Sequence, residues 1–215
     1  MKKSRTGWLA IIGITLSVLA FPAYAQQLGG DYTEIVPALS GDAPGKIEVI
    51  EFFSYACPHC NELNPTITQW ASRQRGDVAF RKVAVGFSNP FYQLTAKLFY
   101  SIDSIGELKR LDDAVFKAIH NDGVKLSDEK SVTAWVESVG VNGKKFGDAF
   151  NSFGVLNKLK QSDLLVQKAK IRGVPALMVD GRYLVGGPNI KNNTDLLAIA
   201  DKLVEKVRVE RNPKK

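Results

Sequence analysis

Both cysteines of this chain, Cys57 and Cys60, lie in the stretch FFSYACPHCNELNP (residues 52–65), with only Pro58 and His59 between them. A pair at this spacing can serve as a structural disulfide, as half of a metal site, or as a redox-active dithiol. The structural alternative is weak, because the stabilisation by a disulfide grows with the loop that it closes: roughly 2 kcal/mol for four residues, against about 4.7 kcal/mol for a hundred.

A zinc site would need more ligands than the sequence supplies near this pair. Closed zinc sites hold four ligands, commonly two Cys-x-x-Cys pairs or one such pair with two histidines. The chain has no further cysteine, and its histidines are His59, inside the pair, and His120. We therefore predict no metal site, and the pattern favours redox chemistry.

The sequence around the pair favours a reactive thiolate. The nearly continuous apolar run KIEVIEFF (46–53) predicts a strand buried on both faces, and a helical pattern follows the cysteines. Cys57 then lies at a helix N-terminus, where free N–H groups and the helix dipole favour thiolate over thiol. Pro58 suits the first helical turn, because its missing N–H costs nothing there. His59 adds a donor or a positive charge; the alternative is an exposed loop histidine without a role.

The N-terminus has the three parts of a secretory signal peptide. The basic residues 1–5 precede an apolar run, residues 8–21, and Ala23-Tyr24-Ala25 gives a small–x–small cleavage pattern. A membrane anchor is the alternative, but a spanning helix needs about 20 apolar residues and this run is shorter. Cleavage after Ala25 removes three positive charges and no acid, so the formal net charge falls from +7 to +4. We expect an exported chain that does not bind nucleic acid, because no basic stripe with interleaved aromatics accompanies this modest charge.

The first half of the mature sequence predicts a βαβ unit followed by helices. Strand 46–53, a helix that ends at Gly76, and strand 78–85 form the unit, so a parallel strand pair is expected. From residue 89 to about 170 the apolar residues recur at three- and four-residue steps. Ser127 or Asp128 is a plausible N-cap within this stretch. Breaks near four glycines divide the stretch into four or five helices: Gly106, Gly123, Gly140 and Gly154.

The last part of the chain returns to strands. ALMVDGRYLVGG (176–187) is two apolar runs around Asp180-Gly181, which predicts a hairpin. Asn193 or Thr194 can cap a final amphipathic helix. We therefore predict one α/β domain interrupted by an all-helical insertion. The expected boundaries are 1–25 for the signal peptide, 26–88 for the first part of the domain, 89–170 for the helical insertion domain, and 171–215 for the second part.

Two motifs together carry a family resemblance. VIEFFSYACPHC and, far along the chain, RGVPALMVDGRY closely resemble the DsbA family of thiol:disulfide oxidoreductases. The resemblance implies a thioredoxin-like α/β fold, with a central mixed sheet and flanking helices, interrupted by the helical insertion. It further implies that Cys57 is the exposed nucleophile and Cys60 its buried partner. Val174-Pro175 resembles the cis-proline loop that faces the cysteine pair and binds an extended substrate peptide.

The resemblance also assigns a role to a buried acid and a lysine. Glu51, six residues before Cys57, resembles the family's acid beneath the disulfide, and Lys82 on the next strand matches its partner. Together they would relay the proton gained or lost by Cys60. The alternatives are a glutamate that reaches solvent from the strand end, and Arg81 in place of Lys82, because a one-residue slip exchanges the two.

The function implied is the donation of the Cys57–Cys60 disulfide to newly exported proteins in the periplasm. No cofactor is implied, the chain would be a monomer, and a quinone-linked membrane protein of the DsbB type would reoxidise it. Three alternatives remain: an exported reductase of the thioredoxin type, a disulfide isomerase, and a non-catalytic peptide-binding chaperone. An isomerase would normally carry a dimerisation domain, for which the short segment before the first core strand leaves no room.

Overall fold

The computed structural model describes residues 30–187 and 190–212. The predicted signal peptide, residues 1–25, lies outside these ranges. Within them, no helix is both long enough and apolar enough to cross a membrane.

The described residues form one five-stranded mixed sheet, as predicted, with the strand order β1-β5-β4-β2-β3. Strands β2 and β3 are parallel, which confirms the predicted βαβ unit, and every other pairing is antiparallel. The strands are β1 (Tyr32–Glu34), β2 (Ile47–Phe53), β3 (Val78–Ala84), β4 (Ala176–Val179) and β5 (Tyr183–Val185).

Strand β2 lies between β4 and β3 in the sheet, and the cysteine pair follows its C-terminal end. All of its residues are buried, because it pairs on both sides and is covered on both faces. Side chains alternate between the faces of a strand, so Glu51 and Phe53 share a face with Val49. The acid predicted beneath the cysteines therefore lies on the same face as the helix that follows them, which packs against Val49.

The hairpin predicted at Asp180-Gly181 is formed by β4 and β5. Both turn residues have positive φ, 58° and 64°, and the Arg182 N–H donates to the Val179 carbonyl at 3.0 Å. A side chain at Gly181 would place its Cβ 2.1 Å from the Leu39 carbonyl oxygen. This turn therefore requires glycine both for its backbone conformation and for its close approach to the N-terminal segment.

Seven helices accompany the sheet in the described residues. They are α1 (Pro58–Ser72), α2 (Pro90–Ser104), α3 (Leu108–His120), α4 (Glu129–Ser138), α5 (Gly143–Phe150), α6 (Phe153–Lys168) and α7 (Asn193–Arg211). Helices α1 and α7 cover one face of the sheet with an apolar cluster that includes Leu63, Ile67 and Leu203. The end of α6 packs on the other face through Val166 and Ala169.

Five helices, α2 to α6, occupy the stretch where an all-helical insertion was expected. They form a second apolar cluster that also includes Phe53, Tyr55 and both cysteines, so this helical block packs directly against the redox pair. The division of the chain into separate domains at residues 89 and 170 remains a prediction.

Several predicted helix ends are wrong by a few residues, because side-chain caps determine where helices begin. The break predicted near Gly154 is present two residues earlier, at the N-cap Ser152, so Gly154 itself lies inside α6. The last helix is capped by Asn192 rather than by Asn193 or Thr194. Of the two candidates for α4, Asp128 is the cap, and its carboxylate accepts from the Ser131 N–H. Helix α1 ends at Ser72, before the Gly76 predicted from the sequence.

Candidate active site

Cys57 is the N-cap of α1, where the sequence predicted it. Pro58 occupies the first turn, and no side chain caps the helix. The free N–H groups of that turn therefore face the Cys57 sulfur, which favours its anionic form. Both cysteines are free thiols in this structure, which represents the reduced protein. Cys57 is 5% exposed and Cys60 is fully buried. Both thiols are therefore buried in this structure, although Cys57, expected to be the exposed nucleophile, keeps slight contact with solvent.

The two thiols differ strongly in acidity. Hydrogen bonding from the Cys60 thiol lowers the pKa of Cys57 to about 6, and N–H groups and the His59 charge contribute further, although burial opposes them. The same hydrogen bond, together with burial, raises the pKa of Cys60 far above its ordinary value. One cysteine is therefore a ready thiolate at neutral pH, and the other is a thiol.

His59 is largely exposed, and its ring is turned toward the helix surface. Its Nδ1 lies 3.3 Å from Glu62 Oε2, and its side chain is 77% exposed. The charge of His59 lowers the pKa of Cys57, but it is the last of the causes that do so. The histidine therefore supports the thiolate less than the Cys60 thiol and the backbone do.

The Val174-Pro175 loop meets the cysteine pair, as expected. The peptide bond between these residues is cis. In its thiol form Cys57 donates a hydrogen bond from Sγ to the Val174 carbonyl at 3.3 Å, although 117 residues separate the two. A peptide that lies along this loop would pass directly beside the reactive sulfur.

Glu51 and Lys82 are neighbours across the parallel pair β2–β3, opposite one another in register. Lys82 Nζ lies 4.0 Å from Glu51 Oε2. Burial raises the pKa of Glu51 to about 7, although the Lys82 charge opposes the rise. Arg81 points to the other face, where it binds Glu48 Oε1 at 2.9 Å. Lys82 is therefore the cation close to Glu51, and the alternative of Arg81 does not match the register.

The sequence interpretation missed several polar residues in this region. Asn64 and Asp112 both accept from Lys82, and the Tyr55 hydroxyl donates to Asp112 Oδ1 at 2.6 Å. Asn64 follows Cys60 by four residues, so the helix period already places both on one face. Asp112 comes from α3 in the helical block, and no local pattern pairs it with β3.

The arrangement is suited to thiol–disulfide exchange. It offers one acidic thiol with slight solvent contact, one fully buried partner thiol, a backbone edge for a peptide, and an ionisable group beneath. Within the described part of the chain, no three His, Cys, Asp or Glu side chains are grouped so that they could hold a metal ion.

The acidity of Cys57 predicts a measurable pH dependence of its alkylation. Because the pKa of Cys57 is about 6, the rate of iodoacetamide labelling in the reduced protein should be half-maximal near pH 6. An ordinary cysteine thiol reaches that point near pH 8.5. Peptide mapping by mass spectrometry should place the label on Cys57, with Cys60 unlabelled. A midpoint above pH 8 would contradict this account.

Comparisons with known proteins agree with this chemistry. Residues 93–198 match the family model of the DSBA-like thioredoxin domain. The thiol:disulfide interchange protein DsbA of Bordetella parapertussis is 35% identical over 205 residues, which cover 94% of this chain and 97% of the relative. That of Pseudomonas syringae pv. tomato is 36% identical over 187 residues, 85% of each chain.

Solved structures show the same fold. The crystal structure of Pseudomonas aeruginosa DsbA superposes with a TM-score of 0.81 at 29% identity, over 87% of this chain and 98% of that one. The oxidoreductase DsbA from Xylella fastidiosa gives a TM-score of 0.78 at 32% identity, over 83% and 96%. With sequence identity extending over nearly the whole of both chains, and a thioredoxin-like fold that presents one acidic cysteine, this chain belongs to the DsbA family of thiol:disulfide oxidoreductases.

Proposed function

We propose that this oxidoreductase works as a donor: it transfers its Cys57–Cys60 disulfide to newly exported proteins that carry free cysteines. The observation that carries this direction is the lowered pKa of Cys57. A thiolate that the protein stabilises makes the reduced form more stable, and the disulfide correspondingly more oxidising.

The reaction has two exchange steps. A substrate thiolate attacks the Cys57 sulfur, so a substrate–Cys57 disulfide forms and the Cys57–Cys60 bond breaks, with the electron pair leaving on Cys60. Cys60 takes up a proton, consistent with its strongly raised pKa. A second substrate thiolate then attacks the substrate sulfur, and Cys57 leaves as the stabilised thiolate. The substrate has lost two electrons and the enzyme has gained them.

Val174 and Pro175 are the proposed substrate-binding residues. The Val174 carbonyl lies 3.3 Å from Cys57 Sγ, so an extended substrate segment paired with this backbone would bring its own cysteine within reach of Cys57. Pro58 and His59 tune the thiolate from the first turn of α1. The reaction as proposed uses the cysteine pair alone, without a cofactor.

Glu51 and Lys82 are the proposed proton relay. When Cys60 leaves as a thiolate, the neutral carboxyl of Glu51 is the proton source, and the carboxylate that remains is stabilised by the Lys82 ammonium 4.0 Å away. A pKa of Glu51 near 7 suits this task, because the group can both give and regain a proton near neutral pH.

The proposed location is the periplasm, to which a signal peptide at residues 1–25 would direct the chain. The mature protein is proposed to be a monomer. Each turnover leaves the enzyme reduced, so an oxidant must restore its disulfide. A quinone-linked membrane protein of the DsbB type is the proposed partner, docking at the face that carries Cys57.

Equilibration against glutathione tests the direction of transfer. We expect the cysteine pair to remain largely reduced in a glutathione buffer poised near about −200 mV, because a stabilised thiolate makes the pair a stronger oxidant than this buffer. A couple like that of thioredoxin, at about −270 mV, would be mostly oxidised there. Mass spectrometry after acid quenching and alkylation gives the reduced fraction. A mostly oxidised pair would indicate a reductase instead.

A further inference from the structure

Two carboxylates share a single ammonium group beneath the cysteine pair. Glu51 and Asp112 both carry oxygens within 4.0 Å of Lys82 Nζ, and the Glu51 and Lys82 side chains are 1% and 11% exposed. With both acids ionised the cluster would hold a net negative charge away from water, which is costly. One of the two is therefore expected to hold a proton, and the hydrogen bonds indicate which.

Lys82 is bonded to Asp112 and not to Glu51. Its ammonium donates to Asp112 Oδ2 at 2.6 Å and to the Asn64 side-chain carbonyl. Asn64 is held in turn by its own N–H donation to Asp113 Oδ1 at 2.6 Å. The distance to Glu51 Oε2, 4.0 Å, is too long for a hydrogen bond.

Asp112 has what an ionised carboxylate needs. Its Oδ1 accepts from the Tyr55 hydroxyl at 2.6 Å, its Oδ2 accepts from Lys82, and its side chain is 18% exposed. Neither oxygen of Glu51 has a hydrogen-bond partner in the described residues. The proton that the cluster needs therefore belongs on Glu51.

We propose that Asp112 is a positioning residue for disulfide transfer: by binding Lys82, it keeps this ammonium from Glu51 and so keeps Glu51 in the neutral form that can protonate Cys60. The inference rests on the proposed function and extends the relay to α3. It gives the helical block a part in the chemistry, because Asp112 lies on α3 (Leu108–His120).

The ionisable groups around Glu51 agree with this assignment. Besides burial and the Lys82 charge, the negative charge of Asp112 also raises the pKa of Glu51. Glu51 also interacts electrostatically with Tyr55 and Cys60. Burial raises the pKa of Tyr55 well above its ordinary value, so its hydroxyl stays neutral. Strand β4 places Leu177 beside Glu51 and adds no charge. A cavity of about 780 Å³, lined by residues that include Lys82, Phe99 and Leu108, adjoins the lysine of this cluster.

Asp112→Asn tests the inference, with Asp113→Asn as the matched control. Asp113 is the adjacent acid on the same helix, and it binds Asn64 rather than Lys82. The first readout is the titration of the Glu51 carboxyl, followed by ¹³C NMR in the reduced protein. The second is the pH dependence of the rate of exchange with a dithiol peptide, after division by the peptide's thiolate fraction. Asp112→Leu removes the carboxylate without leaving an amide to satisfy, and Asp112→Glu restores the charge.

In Asp112→Asn, Lys82 is free to approach Glu51, so the pKa of Glu51 should fall. The midpoint of its titration should move to a proton concentration at least about tenfold higher. The inflection in the exchange rate should move with it. Asp113→Asn and Asp112→Glu should titrate like the wild type. An unchanged Glu51 midpoint in both Asp112→Asn and Asp112→Leu, or an equal shift in Asp113→Asn, overturns the inference.

A moved titration with an unmoved rate profile also overturns it, because Asp112 would then act on Glu51 but not on the reaction. A purely structural Asp112 would lower stability without moving either midpoint. The proposed function fails separately, if the wild-type pair is mostly oxidised in the glutathione buffer whatever the Asp112 variants do.

Discussion

Cys57→Ser should lose disulfide transfer to reduced, unfolded protein substrates by at least about 10³-fold, effectively to background. The serine hydroxyl cannot form the mixed disulfide, and the remaining thiol, Cys60, is fully buried with a strongly raised pKa. The measurement is the recovery of activity by a reduced substrate enzyme whose native state needs disulfides. Because Cys57 is at the helix end, without a side-chain cap bond to lose, the variant should fold.

Cys60→Ala is the matched control, because it keeps the Cys57 thiol and removes its partner, although losing the Cys60 hydrogen bond should raise the pKa of Cys57. It should lose turnover but still form a covalent adduct with an activated substrate disulfide, visible on a non-reducing gel. Cys57→Ser should form none. If Cys57→Ser retained full assistance to the substrate's refolding, the activity would be that of a peptide-binding chaperone, and disulfide donation would be wrong.

The parts of the site that could be predicted from the sequence are those that a local pattern encodes. The apolar run of β2, the helix start at Cys57, and the turn at Asp180-Gly181 each depend on neighbours along the chain, and all three are present. Strand β1 was missed because it has three residues, is largely exposed, and lies at the sheet edge, where no apolar alternation is required.

The Lys82–Asp112 contact was missed for a different physical reason. It joins residues 30 apart through a side-chain hydrogen bond, and an acid beside the apolar stripe of α3 resembles any solvated surface residue. The register Glu51–Lys82 is a pairing property of two strands, so the sequence left Arg81 open. Buried polar networks of this kind depend on how helices dock, which hydrophobic periodicity alone does not specify.

Glu51→Leu should make the reduced protein more stable at alkaline pH, by about 3 kcal/mol at pH 8. The folded state raises the pKa of Glu51 from 4.5 to about 7, so it binds this proton more tightly than the unfolded chain does. The contribution of Glu51 to stability is therefore fully present below about pH 4.5, and it is lost as the pH rises through 7. Leucine does not titrate, so the stability advantage of Glu51→Leu over the wild type should shrink at pH 5.5 to about half of its value at pH 8.

Urea unfolding of both proteins at pH 5.5 and pH 8 measures this difference, and titrating groups that do not interact with Glu51 cancel in the comparison. Glu48→Leu is the control on the same strand. Glu48 is also buried, but it binds Arg81 at 2.9 Å. Its loss removes this charge-assisted hydrogen bond, while Arg81 keeps Asp42 at 3.0 Å, and should destabilise by about 1–3 kcal/mol at both pH values. An advantage of Glu51→Leu that did not grow with pH would mean that Glu51 is ionised in the folded protein. A more stable Glu51→Leu with slower exchange would show that the chain retains an unsatisfied acid for its chemistry.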